Sequence, residues 1–189
     1  IGQIEEFLDE RGIDAWFKQG GYMTVSTSEA QDGAWDGQIE ALGQAGVGEH
    51  AKVLDRAEVQ AICRSPRFRE AALFDDTATI QPARLAFGLR QALIDVGVQL
   101  FENSPVTAMD DSPSGVTVWT PGGKATADRA VLASGAALAG FGSPVRDKVT
   151  IASSHMVITE PVPDVLEKIG WDGAPAITDC RSLLNYTRT

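Results

Sequence analysis

Thr79 to Met109 read TIQPARLAFGLRQALIDVGVQLFENSPVTAM. Pro82 stands where a helix would begin, a position at which its missing N–H costs nothing and its fixed φ already suits the helix. Leu85, Leu89, Ala92, Leu93 and Val96 then recur on one helical face, and Gly97 supplies the stop. The apolar run Val98-Gln99-Leu100-Phe101 follows at once and predicts a strand. A helix feeding directly into a short apolar strand is half of a β-α-β unit, the usual builder of parallel sheet.

Further along, Val116 to Thr120 alternates as Val-Thr-Val-Trp-Thr, turns at Pro121-Gly122-Gly123 and resumes through Lys124 to Ala127, the pattern of an antiparallel hairpin. Arg129-Ala130-Val131-Leu132-Ala133 is an apolar run without alternation, as a strand buried on both faces requires, and it ends in Ser134-Gly135-Ala136. The reading places Val98–Phe101 and Ala130–Ala133 in one parallel sheet.

Upstream, Gly12 to Ser26 reads as two extended runs around Gly20-Gly21, giving a hairpin or one bent strand. Ser28 is a candidate cap for a helix carrying Trp35, Ile39 and Leu42 on one side, broken by Gly46-Val47-Gly48. Asp55 with Glu58 three residues on forms a capping-box pattern for a second helix, which should end by Pro66. Downstream, Thr150–Thr159 predicts a long strand, Pro163–Ile169 a short helix, and 176–179 and 183–187 two further strands.

Composition limits what these elements can serve. The 189 residues carry 16 Lys and Arg against 26 Asp and Glu, a net charge of -10, which excludes the clustered basic surface that nucleic acid demands. No apolar stretch reaches the length of a membrane span, and a cytoplasmic location is expected. Ile1 shows neither an initiator Met nor a signal-peptide pattern, so the chain reads as an internal piece. Cys63 and Cys180 lie far apart without metal-ligand spacing and read as two reduced thiols; His50 and His155 are equally scattered, and no metal is expected. Trp16, Trp35, Trp119 and Trp171 read as packing residues, and the acidic pairs 5–6 and 110–111 as solvated faces.

One glycine fingerprint occurs, Gly46-Val47-Gly48-Glu49-His50-Ala51. A dinucleotide site needs a strand before such glycines and a helix after them, because the helix N-terminus holds the pyrophosphate. Here a helix is expected before them, so the motif reads as a helix stop.

Taken together, TIQPARLAFGLRQALIDVGVQLFENSPVTAM and VTVWTPGGKATADRAVLASGA resemble the FAD-dependent oxidoreductases that include D-amino-acid oxidase, glycine oxidase and sarcosine oxidase. GIDAWFKQGGYMTVSTSEA, HMVITEPVP and LLNYTRT are similar to the substrate-domain strands of that family, nearest to its gamma-glutamylputrescine oxidase-like members. The resemblance implies an α/β fold, a section of an FAD-binding Rossmann-like domain (76–147) interleaved with a mixed or antiparallel substrate-domain sheet (1–75 and 148–189). It implies that the family's glycine fingerprint precedes Ile1 and that further strands follow Thr189. It also implies FAD as cofactor, a small-molecule amine or amino acid as substrate, and hydride transfer from substrate to flavin. By position it puts Val106, Ala133, Ser134 and Gly135 against the cofactor. A cofactor lying on the backbone does need small side chains at a strand exit, although a tight exit from a strand would look the same.

Candidate catalytic residues are substrate-positioning groups. Tyr186 and Arg188 alternate on a strand and share a face, where they could hold a carboxylate-bearing substrate, and His155 is a third. The structural alternative for each is a cross-strand pair on an exposed sheet. At the level of the whole chain, the rival to an amine oxidoreductase is a binding or assembly domain that keeps the FAD fold without redox chemistry.

Overall fold

The computed structural model describes residues 1–140 and 146–189 as two compact units, one formed by residues 1–98 with 159–189 and the other by residues 99–158. In chain order the first unit begins with α1 (Gly2–Glu10), β1 (Lys18–Gln19), β2 (Tyr22–Val25), α2 (Asp36–Gln44) and β3 (Ala51–Leu54). It continues with α3 (Arg56–Ile62), β4 (Ala71–Phe74), β5 (Ala78–Thr79) and α4 (Pro82–Asp95). The second unit holds β6 (Ala108–Ser112), β7 (Gly115–Thr120) and β8 (Gly123–Ala127); the chain then returns to the first with α5 (Pro163–Ile169), β9 (Ala176–Asp179) and β10 (Tyr186–Thr187).

The first unit is organised by a five-stranded mixed sheet of order β10-β9-β2-β4-β3. Its single parallel pair joins β2 to β9, with Met23 opposite Ile177 and Val25 opposite Asp179. One face buries Met23, Val25, Ala71 and Ile177 against Val59 and Cys63 of the α3 segment and Trp171. The other buries Ala72 and Phe74 beneath Trp35, with Ile39 and Leu42 of α2 alongside, so the helical spacing of these three residues does set the buried side. Each fully buried aliphatic here contributes about 1.5–3 kcal/mol.

Local signals explain several boundaries. Asp55 accepts from the Glu58 N–H at 2.9 Å while the Glu58 carboxylate accepts from the Asp55 N–H at 3.0 Å, a complete capping box. Pro82 opens α4 and Gly97 follows its end at φ +84°. Gly170, left-handed at φ 69°, closes α5. The last α5 carbonyls are then bound by Arg64, whose guanidinium donates to Lys168 and Glu167 oxygens, each at 3.2 Å. Gly46 stops α2 and strand β3 follows, so the fingerprint at 46–51 has a helix before it and a strand after it, the reverse of a dinucleotide site.

Other expectations are corrected. Residues 98–101 and 130–133 form no strand, and their placement in one parallel sheet is not met. A strand buried on both faces exists only through neighbours that take its hydrogen bonds, and the described residues supply none: Phe101 is 73% and Val131 90% exposed. Residues 150–159 are likewise without strand pairing. Of 183–187 only Tyr186 and Thr187 pair, and Gly20-Gly21 separates β1 and β2 into different sheets, so the first segment is a bent strand and no hairpin. Ser28 precedes a 3-10 turn, Glu29–Gln31, without a side-chain capping bond, and α2 starts at Asp36. α1, β3, β4, β5 and β6 arise where the residue pattern predicts neither strand nor helix. β6 in particular contains the acidic pair Asp110-Asp111 and is made a strand by its ladder to β7.

In the second unit, β6, β7 and β8 form an antiparallel sheet in which Thr120 faces Gly123 across the Pro121-Gly122 turn, as the alternation there predicts.

Replacing Asp55 with Ala removes the acceptor for the Glu58 N–H and lowers the unfolding free energy of the first unit by about 1 kcal/mol. Urea titration followed by tryptophan fluorescence measures this, with Glu29→Ala as the control that leaves the midpoint in place.

Candidate functional site

Register across the sheet places Thr24, Thr178 and Tyr186 side by side on β2, β9 and β10. This is the face that α2 covers over β3 and β4, but towards the β10 edge the cover ends and Tyr186 is 61% exposed. Arg188 follows directly after β10, and its Nη1 donates to the Ile80 carbonyl at 2.6 Å, just beyond β5. Both residues are exposed at this edge, and the chain is held on either side of Tyr186. His155 belongs to the second unit, exposed in a stretch without regular structure.

One flank is pinned by Asp179. Its carboxylate accepts from the Arg181 Nε at 2.6 Å and backbone N–H at 3.2 Å, and from the Asn185 backbone N–H at 3.1 Å and Nδ2 at 3.2 Å. Burial pushes this carboxyl pKa up, but the hydrogen bonds from Arg181 and Asn185 outweigh it and hold the group at about 2. Nothing in the spacing of residue types singles out Asp179. The signal that could have found it is the habit of Asp to bond the N–H two residues on, here Arg181.

A second polar cluster lies where β2 ends. Arg69 clasps the Asp32 carboxylate through Nη2 at 2.8 Å, and the Ser26 hydroxyl donates to it as well. The Arg69 and Ser26 hydrogen bonds hold Asp32 below the usual carboxylate range. Cys180 sits within the influence of Asp179 and Asp32; burial first, then these two negative charges, push its thiol pKa up. Burial does the same for Cys63, so both remain protonated thiols and poor nucleophiles. Outside these clusters, His50 Nδ1 meets Asp75 at 2.8 Å, and that hydrogen bond raises the imidazole pKa. Among the described residues no group of His, Cys, Asp and Glu could hold a metal ion, and no helix is long and apolar enough to cross a membrane.

Trp35 and Trp171 are packing residues, but Trp16 is not. It adopts φ +50°, is 64% exposed, and lies 4.6 Å from the Arg84 guanidinium, which also pairs with Asp14. A bulky residue held in the left-handed region is strained, and here a cation stacked on its ring supports it. The partner is distant in sequence, which is why residue neighbours gave no sign of it.

The candidate cofactor residues lie in the second unit. Val106 precedes β6, and Ala133-Ser134-Gly135 is exposed main chain leading into a 3-10 turn, Gly135–Gly140. Gly135 has φ +56°, and a Cβ added there would meet nothing within 4 Å, so the backbone faces open space.

Comparison with known proteins settles the family. The family model described as FAD dependent oxidoreductase (DAO) matches residues 1–189. The chain belongs to this FAD-dependent oxidoreductase family. "Probable oxidoreductase OrdL" of Haemophilus influenzae is 23% identical over 193 residues, covering 100% of this chain and 44% of the relative. Its namesake from Rhizobium meliloti is 24% identical, covering 96% of this chain and 42% of the relative. The chain therefore spans less than half the length of these relatives. Glycine oxidase from Geobacillus kaustophilus superposes with a TM-score of 0.64 at 24% identity, over 75% of this chain and 38% of that one. L-proline dehydrogenase from P. horikoshii gives 0.63 at 18% identity, over 78% and 40%. These two likenesses establish the fold: a mixed α/β chain of several sheets, of the kind found in this family.

A carboxylate whose folded pKa is depressed stabilises the fold fully above its unfolded value, and that contribution is lost as pH falls through the folded value. For Asp179 the loss runs from the ordinary 3.8 down to about 2. Thermal melts across this window should fall more steeply for the wild-type chain than for Asp179→Asn, which lacks the titrating group; parallel curves would contradict the assignment.

Proposed function

We propose that this chain is part of an FAD-dependent oxidoreductase that oxidises a small amine or amino acid. The observation that carries the reading is the family match over every residue, joined to an exposed patch, Tyr186 with Arg188, suited to a carboxylate-bearing substrate. Glycine oxidase, L-proline dehydrogenase and the L-amino acid deaminase of Proteus myxofaciens, which share the fold, are named for amino-acid substrates. In this reading residues 1–75 and 148–189 serve the substrate, residues 76–147 serve the cofactor, and the protein works in the cytoplasm.

The residues present suit the cofactor. Ala133, Ser134 and Gly135 offer bare main chain beside open space, and Val106 contributes a small exposed apolar side chain. These four would lie against the nucleotide of FAD. Bound flavin would supply the two-electron acceptor for a hydride from the carbon bearing the amine.

The remaining work belongs to the protein's own groups. Arg188 gives one of its five N–H donors to the Ile80 carbonyl, and its planar fork can present others to a substrate carboxylate. The Tyr186 hydroxyl can donate to or accept from a polar substrate atom. Together they would orient the amine-bearing carbon without taking part in bond changes. His155 is a third candidate positioning group.

The test is to express the protein at the length of its relatives and look for bound flavin by its visible absorbance. Arg188→Met should then lower kcat/KM for the amino-acid substrate by roughly 10–100-fold, the loss expected for a charge-assisted contact, and Tyr186→Phe by less. A colourless protein would sink the proposal. One that binds flavin yet is reduced by no amine would favour a non-catalytic role for the fold.

A further inference from the structure

The structure assigns to Asp179 the role of a positioning residue: through Arg181 and Asn185 its buried carboxylate sets where strand β10 lies, and thereby where Tyr186 and Arg188 stand. The inference rests on the reading of that pair as substrate-binding groups.

β10 cannot place itself. It has two residues and, among the described residues, pairs only with β9 at the edge of its sheet, so its own ladder is too short to hold a unique position. What holds it converges on Asn185, the residue immediately before Tyr186. The Asn185 backbone N–H and side-chain amide both donate to the Asp179 carboxylate. In return the Asn185 carbonyl accepts from the Asp179 N–H at 3.0 Å and from the Thr178 hydroxyl at 3.3 Å. The backbone N–H, backbone carbonyl and side-chain NH2 of Asn185 are thus engaged by the last two residues of β9. Two of these bonds end on a carboxylate, and bonds to an ionised acceptor are the stronger kind.

The same carboxylate separates the duties of the two nearby arginines. Arg181 turns its Nε and Nη2 onto Asp179 and closes the loop of residues 179–185. Its charge is thereby neutralised locally. Among the described residues Arg188 has no ion pair, and its hydrogen bond goes to the Ile80 carbonyl, a neutral acceptor, which leaves the cation without a counter-charge there. An anionic substrate group would therefore be drawn to Arg188 in preference to Arg181. Asp179 touches no substrate in this arrangement and acts only through the strand it anchors.

The experiment uses the flavin-loaded protein at the length of its relatives, comparing wild type with Asp179→Asn and Arg181→Gln. Hydrogen exchange read by mass spectrometry should rise about 10-fold in peptides covering residues 182–189 of Asp179→Asn, the scale of a lost charge-assisted bond, while peptides from β2 and β4 stay protected. KM for the amino-acid substrate should rise by a similar factor with kcat within roughly twofold and flavin absorbance retained, a split that general destabilisation would not produce. Arg181→Gln, which keeps the Asp179 carboxylate and its two bonds from Asn185, should show the same pattern more weakly and decides the matter if Asp179→Asn does not fold. Unchanged exchange at residues 182–189 overturns the proposal, and so does raised exchange with an unchanged KM. If the wild-type protein neither binds flavin nor turns over an amine, the functional reading fails on its own. The exchange result then still shows whether Asp179 holds β10.

Discussion

The parallel pairing of β2 with β9 is the contact on which the first unit is built. β2 lies between β9 and β4, and its residues Met23 and Val25 have no exposure at all. Because β9 comes from the far end of the chain, this ladder closes a long loop, whose entropic cost is offset only by burying the surrounding side chains. Val59, Cys63, Trp171 and Ile177 do so on one face, and Trp35 with Phe74 on the other. Once β9 is seated, the next residues have little choice: Asp179 enters the interior as a carboxylate, where it is tolerated only because Arg181 and Asn185 surround it with donors.

That requirement links stability to the candidate site. A buried carboxylate demands hydrogen bonds, the donors come from the loop that follows, and the loop ends at Tyr186. Ser26, at the end of β2, meets the same problem, and its hydroxyl is satisfied by Asp32 and the Glu70 carbonyl. The polar clusters thus sit where paired strands run out and side chains must replace ladder partners, and the exposed edge beyond them is where Tyr186 and Arg188 are displayed.

The second unit follows different physics. Its hairpin strands satisfy one another and need no further sheet, whereas the apolar runs at 98–101 and 130–133 have no ladder partners among the described residues and stand exposed. The assignment to the FAD-dependent oxidoreductases consequently rests on the match along the whole chain, not on a parallel sheet formed by these two runs.

Elements stabilised by neighbours within one turn were legible in the sequence: the capping box of α3, the proline start and glycine stop of α4, the bounds of α5 and the hairpin around Pro121-Gly122. Strands β3, β4 and β6 were decided by the partners they meet, as was the absence of strands at 98–101, 130–133 and 150–159. Only the folded chain brings Arg84 onto Trp16, Arg188 onto Ile80 and Arg69 onto Asp32. Caps and turns are completed by residues a few positions away, so a sequence displays them in full; a strand or an ion pair is completed by a group elsewhere, and exists only once the chain has brought that group alongside.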